Sequence, residues 1–339
     1  AGAIELVAAD PNVDGLICIV TPQAMTEIVE TANAIGKLCE RIDKPVLGAF
    51  MGEERAKAGE DVINSYGIPN YMFPEQAAQA LAAMRDYNDS RDRPDPEIVS
   101  FEADRHAVRQ VFEQVRAEGR VSVGETESRA VAKAYGLRLP QSELAATADE
   151  AVQIADQIGY PVVLKIASPD ILHKTDVGGV RVGLASATDV RDAFDLILYR
   201  ATRYVPDARI WGCLVQEMVA TDGVEVLVGM SRDAQFGPLV TFGLGGILVE
   251  ALKDVTFRIA PFGREDAEAM LDEIRAHSLL RGVRGRPPVD REALLETLLR
   301  VSQLVTDFPE IVEMDINPLM VYAAGRGAIA LDMRLVLKS

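Results

Sequence analysis

A lysine, a histidine and two adjacent glycines fall together in residues 161–180, PVVLKIASPDILHKTDVGGV. Lys165 stands inside an apolar run that reads as a strand, where a bare ammonium is costly to bury. It suits a nucleotide phosphate held in a cleft, or equally a stem lying along the strand with its tip in water. His173 follows in a polar loop beside Lys174 and Asp176, and it is one of only three histidines in 339 residues. Neutral imidazole is abundant near neutral pH and is a competent phosphoryl acceptor; a loop histidine with ordinary hydrogen bonds is the competing reading. Gly178 and Gly179 would let backbone N–H groups approach phosphate oxygens, though a plain hairpin turn uses the same pair. The chemistry this stretch could perform is phosphoryl transfer through His173.

An accepting imidazole needs a carboxylate to orient it and cations to offset the arriving charge. In the C-terminal run VEMDINPLMV a period of two sets Glu313, Asp315 and Asn317 on one face, with Met314 and Ile316 on the other. A turn at Gly325, Arg326 and Gly327 brings the chain back with Asp332 opposite about Leu319, within a step of Asn317. One amide oxygen and one carboxylate, completed by waters and phosphate oxygens, is a usual way to hold Mg2+ in nucleotide enzymes. A polar strand edge that resists aggregation would look the same. Gln216, Glu217, Met218 and Val219 end another strand, where exposed backbone could pair with an adenine edge. Glu225 sits among Val224, Val226 and Leu227, which implies a cation or hydroxyl partner or an exposed strand face. Gly245 and Gly246 close a glycine-rich stretch whose amides could meet an anion, a weak signal by itself. Thr21, Pro22 and Gln23 supply an N-cap and first turn for a helix running to about Cys39.

The elements that must position these groups alternate in type. Residues 1–87 read strand–helix–strand, which implies a doubly wound parallel sheet. Residues 88–97, NDSRDRPDPE, form the clearest linker, and a helix near residues 102–118 completes the connection of residues 88–124. A second α/β unit follows, with Thr147 and Glu150 making a capping box ahead of Ala151, Ile154, Ala155 and Ile158. The chain is long enough for two or three domains, and 48% hydrophobic with 26% charged residues describes a soluble globular protein. A formal net charge of −17 argues against nucleic acid or an anionic membrane as partner. Cys18, Cys39 and Cys213 fit neither a disulfide framework nor zinc spacing, which points to a reducing cytoplasm. The chain opens without methionine inside a helical pattern, as the middle of a longer polypeptide would.

SPDILHKTDVGGV, DAQFGPLVTFGLGGILVEALKD, and EMDINPL followed by LDMRL resemble the ADP-forming acyl-CoA synthetases, relatives of succinyl-CoA synthetase, and the resemblance extends over nearly the whole chain. It implies a flavodoxin-like ligase domain at residues 1–87 and an ATP-grasp domain with two α+β subdomains, residues 125–215 and 216–339. The activity implied is acyl-CoA + ADP + phosphate = acid + CoA + ATP through a phosphohistidine relay. On that resemblance His173 takes the phosphoryl group, Asp315 steadies it and Lys165 binds phosphate. Asn317 and Asp332 hold Mg2+, residues 216–219 form the adenine hinge, and Thr21 to Gln23 mark a helix N-terminus facing the phosphohistidine. The CoA-binding domain and the flavodoxin-like domain with its own histidine, which such enzymes also carry, have no counterpart here, since neither His106 nor His277 sits in a matching motif. They are therefore expected as partners, in the same polypeptide or another subunit, in an oligomer. Two other readings compete: the regulatory body of a protein lysine acetyltransferase, and an ATP-grasp carboxylate–amine ligase.

Overall fold

The computed structural model describes residues 2–339 except 22, 24, 25, 172, 173, 246–253, 284 and 286, and all their side chains except those of residues 53–55. The chain divides into two compact units, residues 1–95 and 96–339.

In the first unit β1 (Leu16–Val20) and β2 (Val46–Phe50) pair in parallel, Leu16 opposite Val46 and Val20 opposite Phe50. Parallel neighbours need a crossover, which α2 (Ile28–Cys39) supplies, after α1 (Gly2–Ala8) and before α3 (Glu53–Ser65) and α4 (Pro74–Arg91). Cys18, Ile35, Phe50, Ile63 and Ile68 form the core. Residues 70–73, whose spacing also predicts a short strand, contribute only a single parallel bridge, Gly48 to Asn70, and Pro74 starts α4 directly behind it. The expected helix at Thr21 is also corrected. α2 begins at Ile28, seven residues further on, and Pro22 lies outside the described residues. Instead the Gln23 amide donates to Thr26 Oγ1 at 3.1 Å, a local side-chain turn that competes with helix. Thr21 and Gln23 therefore do not lie at a helix N-terminus.

The second unit holds two antiparallel sheets. The smaller has the order β4 (Ser142–Ala145), β7 (Gly212–Glu217), β5 (Val162–Ala167), β6 (Val180–Leu184). α7 (Ala148–Ile158) and α8 (Ala187–Tyr204) cover it, burying Ile154, Phe194 and Ile197 against Leu164 and Ile166. Each helix starts at a hydroxyl cap: Thr147 Oγ1 accepts from Glu150 at 3.2 Å and Ser186 Oγ from Asp189 at 3.2 Å, each worth about 1 kcal/mol.

The larger sheet runs β10 (Val255–Ile259), β9 (Gly237–Leu244), β8 (Val224–Asp233), β11 (Ile311–Val321), β13 (Met333–Leu337), β3 (Ser122–Val123), with β12 (Ala328–Ala330) also on β11. Its core takes side chains from α5 (Arg105–Ala117), α6 (Glu125–Ala134), α9 (Arg264–Glu273) and α11 (Arg291–Asp307), with α10 (His277–Arg281) between the last two. Residues 88–124 thus divide: α4 runs on to Arg91, while Val108, Phe112 and Val115 of α5 are buried in the second unit. Phe112 meets Phe308 edge-on, ring centroids 5.4 Å apart. Among the described residues no helix is long and apolar enough to cross a membrane.

Burial raises the Cys213 thiol to about 12. Burial first, then the neighbouring Cys39, raises Cys18 to about 11. Alkylation of the folded chain at mildly alkaline pH should therefore modify half-buried Cys39 alone, with all three reacting after denaturation. Peptide mass spectrometry reads this, and rapid labelling of Cys213 in the folded chain would contradict it.

Candidate active site

The larger sheet carries the acidic side of the site. Along β11, Met314 and Ile316 turn into the core, while Asp315 and Asn317 face the other way. The turn at residues 325–327 sets Ile316 opposite Met333, and the Asn317 amide donates to the Asp332 carbonyl at 3.2 Å. Asp315, Asn317 and Asp332 therefore line one cavity of about 430 Å³. Burial, then the charge of Asp332, raises the Asp315 carboxyl to about 6, although Arg334 opposes the shift. Arg334 is its direct cross-strand neighbour on β13.

The smaller sheet and the loop behind it bring the cations. Lys165 lies on the wholly buried β5, and its ammonium donates to the Leu331 carbonyl at 2.7 Å. Burial lowers its pKa, with Glu125 and Asp332 pulling the other way. Lys174 lines the cavity and stands 2.6 Å from Glu125 and 3.3 Å from Asp332. Burial works against its charge, but Glu125 and Asp332 outweigh that and raise its pKa. His173 lies outside the described residues, but Ile171 and Lys174, which bracket it in sequence, both line the cavity.

The glycine pair is spoken for. Gly178 has a φ of +63°, and the amides of Gly178 and Gly179 donate to the Thr175 and Lys174 carbonyls at 3.0 and 2.7 Å. A Cβ at Gly179 would stand 2.6 Å from Ile166, so the pair closes a turn against β5 and offers no free amide to phosphate. The Gly245 amide likewise donates to the Glu225 carbonyl at 2.8 Å, and Gly246 lies outside the described residues. Glu225 and Gly245 line a second cavity, about 740 Å³, with Asp222, Tyr322 and Arg326.

Gln216 pairs with Ser142 and Val163, and the Glu217 amide donates to the Gln141 carbonyl at 2.8 Å. The first main-chain groups beyond that ladder are those of Met218 and Val219. Glu125, which links the two lysines, is the participant that sequence reasoning missed. An acidic residue in a helix first turn reads as a dipole partner, and its lysines are remote in sequence.

Among the described residues no three His, Cys, Asp or Glu side chains form a metal cage by themselves. A cation here would use the Asp332 carboxylate and the Asn317 amide oxygen and leave positions for phosphate oxygens. Asp315 and Asp332 face the same cavity, and the charge of Asp332 adds to burial in raising Asp315, a repulsion that a divalent ion would relieve. The donor set fits magnesium.

The chain matches known proteins over most of its length. The family described as "ATP-grasp domain" matches residues 114–337. An ADP-forming 4-hydroxybutyrate–CoA ligase of Nitrosopumilus maritimus is 40% identical over 98% of this chain and 48% of its own length. The chain thus spans about half of that relative. The beta subunit of an ADP-forming acetate–CoA ligase I from Pyrococcus furiosus is 47% identical over 68% of this chain and 97% of the subunit. The dinucleotide forming acetyl-coenzyme A synthetase 1 of Ca. Korarchaeum cryptofilum, solved with coenzyme A and Ca-AMPCP, has a TM-score of 0.65 at 44% identity, covering 68% of this chain and 99% of that one. Another structure of that enzyme, at TM-score 0.60 and 41% identity, is described with Mg-AMPPCP and its phosphohistidine segment pointing towards the nucleotide binding site; it covers 68% of this chain and 100% of that one. The chain belongs to the ADP-forming acyl-CoA ligase family, of which residues 114–337 are the ATP-grasp domain.

Proposed function

We propose that this chain is the nucleotide side of an ADP-forming acyl-CoA ligase, exchanging a phosphoryl group between ATP and His173. The observation that carries the reading is the convergence of Lys174, Asp315, Asn317 and Asp332 on the one cavity that Ile171 also lines. An unprotonated ring nitrogen of His173 attacks the γ-phosphorus, and the bond from that phosphorus to the β–γ bridging oxygen breaks. The oxygen leaves with ADP, while Asp315 holds the proton on the other ring nitrogen. Lys165 and Lys174 bear on the phosphate oxygens, and Met218 and Val219 meet the adenine edge. Asn317 and Asp332 would hold magnesium, which supplies positive charge against the phosphates. In the reverse direction ADP takes the group back and becomes ATP.

Acid recognition belongs elsewhere. Relatives matched over almost all of this chain at 40% identity are named for different acids, 4-hydroxybutyrate and acetate, and a third, 32% identical over 299 residues, for trans-ferulate. A shared nucleotide half serving several acids implies that the acid is recognised by the portion those relatives carry beyond it, where CoA is assigned as well. Supplied with acyl-CoA, phosphate and Mg-ADP, the chain alone should make no ATP. Adding the complementary portion of a relative should start turnover, followed by coupled ATP detection. Robust acyl-CoA-dependent ATP formation by the chain alone would sink the proposal.

A further inference from the structure

Glu125 takes no part in the steps above, yet it is buried between two ammonium groups. Its Oε1 is 3.7 Å from Lys165 Nζ and its Oε2 is 2.6 Å from Lys174 Nζ. Among the described residues no donor other than these two ammonium groups faces either oxygen, so the carboxylate depends on them. It also stands on a firm support. Glu127, two residues on, takes the Gly124 amide at 2.6 Å and both Arg120 terminal nitrogens at 2.6 and 3.0 Å. Trp211 fills the space a side chain at Gly124 would need.

Lys174 has two carboxylates to choose between, and they are unequal. The Glu125 side chain is 6% exposed and its contact short, whereas Asp332 is 38% exposed and stands at 3.3 Å. A buried contact is screened less than an open one. When other cations and phosphate oxygens compete at the Asp332 end, Lys174 stays with Glu125. Whatever fixes its ammonium therefore fixes where that charge meets the phosphate oxygens.

We propose that Glu125 is a positioning residue: by holding Lys174 in the cavity it sets where that ammonium meets the transferring phosphoryl group. This rests on the phosphoryl-transfer reading, and its consequences separate from it. A misplacement of about 1 Å can slow transfer by roughly 10²-fold. Glu125→Gln should therefore slow single-turnover phosphorylation by ATP by about that factor while Mg-ATP affinity stays near the parent's. Glu125→Asp, which keeps the charge, should recover part of the rate. Lys174→Met should be slow by itself, and adding Glu125→Gln to it should cost little more, because the two act as one unit.

Reductive methylation with peptide mass spectrometry tests the pair without any activity. Lys174 should be protected in the parent chain and become reactive in Glu125→Gln. The proposal is overturned if that protection persists, if Glu125→Gln phosphorylates at the parent rate, or if its effect multiplies fully with that of Lys174→Met. It is equally overturned if affinity and rate fall together and Glu125→Asp does no better, which would mark a structural role. A parent chain that takes no phosphate at His173 overturns the functional reading instead, and the methylation result still decides whether Glu125 holds Lys174.

Discussion

His173→Ala should abolish acid-labile labelling of the chain by γ-labelled ATP and leave Mg-ATP binding largely intact. The loss should be complete, because no other imidazole is placed to substitute. His106 is on the exposed side of α5, its Nε2 3.0 Å from Gln110. His277 opens the short helix α10, with Nδ1 3.1 Å from the Ile274 carbonyl. Neither lines the cavity that holds Asp315, Asn317 and Asp332. Affinity should survive because the groups assigned to the nucleotide, Lys165, Lys174 and the strand end at Met218, are untouched by the change. Phosphohistidine is lost in acid and stable in base, so labelling followed by both treatments identifies the linkage, and equilibrium dialysis gives the affinity. Label persisting in the alanine variant would place the acceptor elsewhere.

How much of this site could be read from sequence depended on whether the relevant spacing was local. The period of two in EMDIN gave the face of Asp315 and Asn317, because a strand allows only two faces. A turn of fixed length then brought Asp332 within one step of its partner. Lys165 was legible for a similar reason, since a charge inside an apolar strand demands a partner. The glycines were not. Gly178 and Gly179 carry the same residues whether their amides face a ligand or close a turn, and only the carbonyls of Lys174 and Thr175 decide it. Thr21 had the residue types of a helix start, but Thr26 takes the Gln23 amide in a local turn and the helix starts only at Ile28. Glu125 escaped because an ion pair between elements distant in sequence leaves no pattern along the chain. The fold followed the same division. Strand–helix alternation exposed the parallel pairing of β1 and β2, whereas nothing local showed that α5 packs with the second unit rather than standing in a linker.

Lys165→Met should separate stability from catalysis. Methionine keeps the stem and removes the charge, on a residue only 7% exposed. The change forfeits the bond to the Leu331 carbonyl, 2.7 Å long, and one of the two ammonium groups beside Glu125. Stranding a buried charge entirely is worth about 3–5 kcal/mol. Glu125 is not stranded, because Lys174 remains 2.6 Å away, and the ammonium no longer has to be desolvated. These opposing effects leave a destabilisation nearer that of one unsatisfied buried group, about 1–3 kcal/mol. The phosphate oxygens have no such reserve. Their charge is met by few cations, and losing one preorganised donor typically costs about 10²–10³ in rate. The variant should therefore fold, with a modestly lowered urea midpoint, while single-turnover phosphorylation of His173 falls by roughly two to three orders of magnitude. A folded Lys165→Met chain that phosphorylates at the parent rate would remove Lys165 from the phosphate site and leave it as a strut between β5 and Leu331.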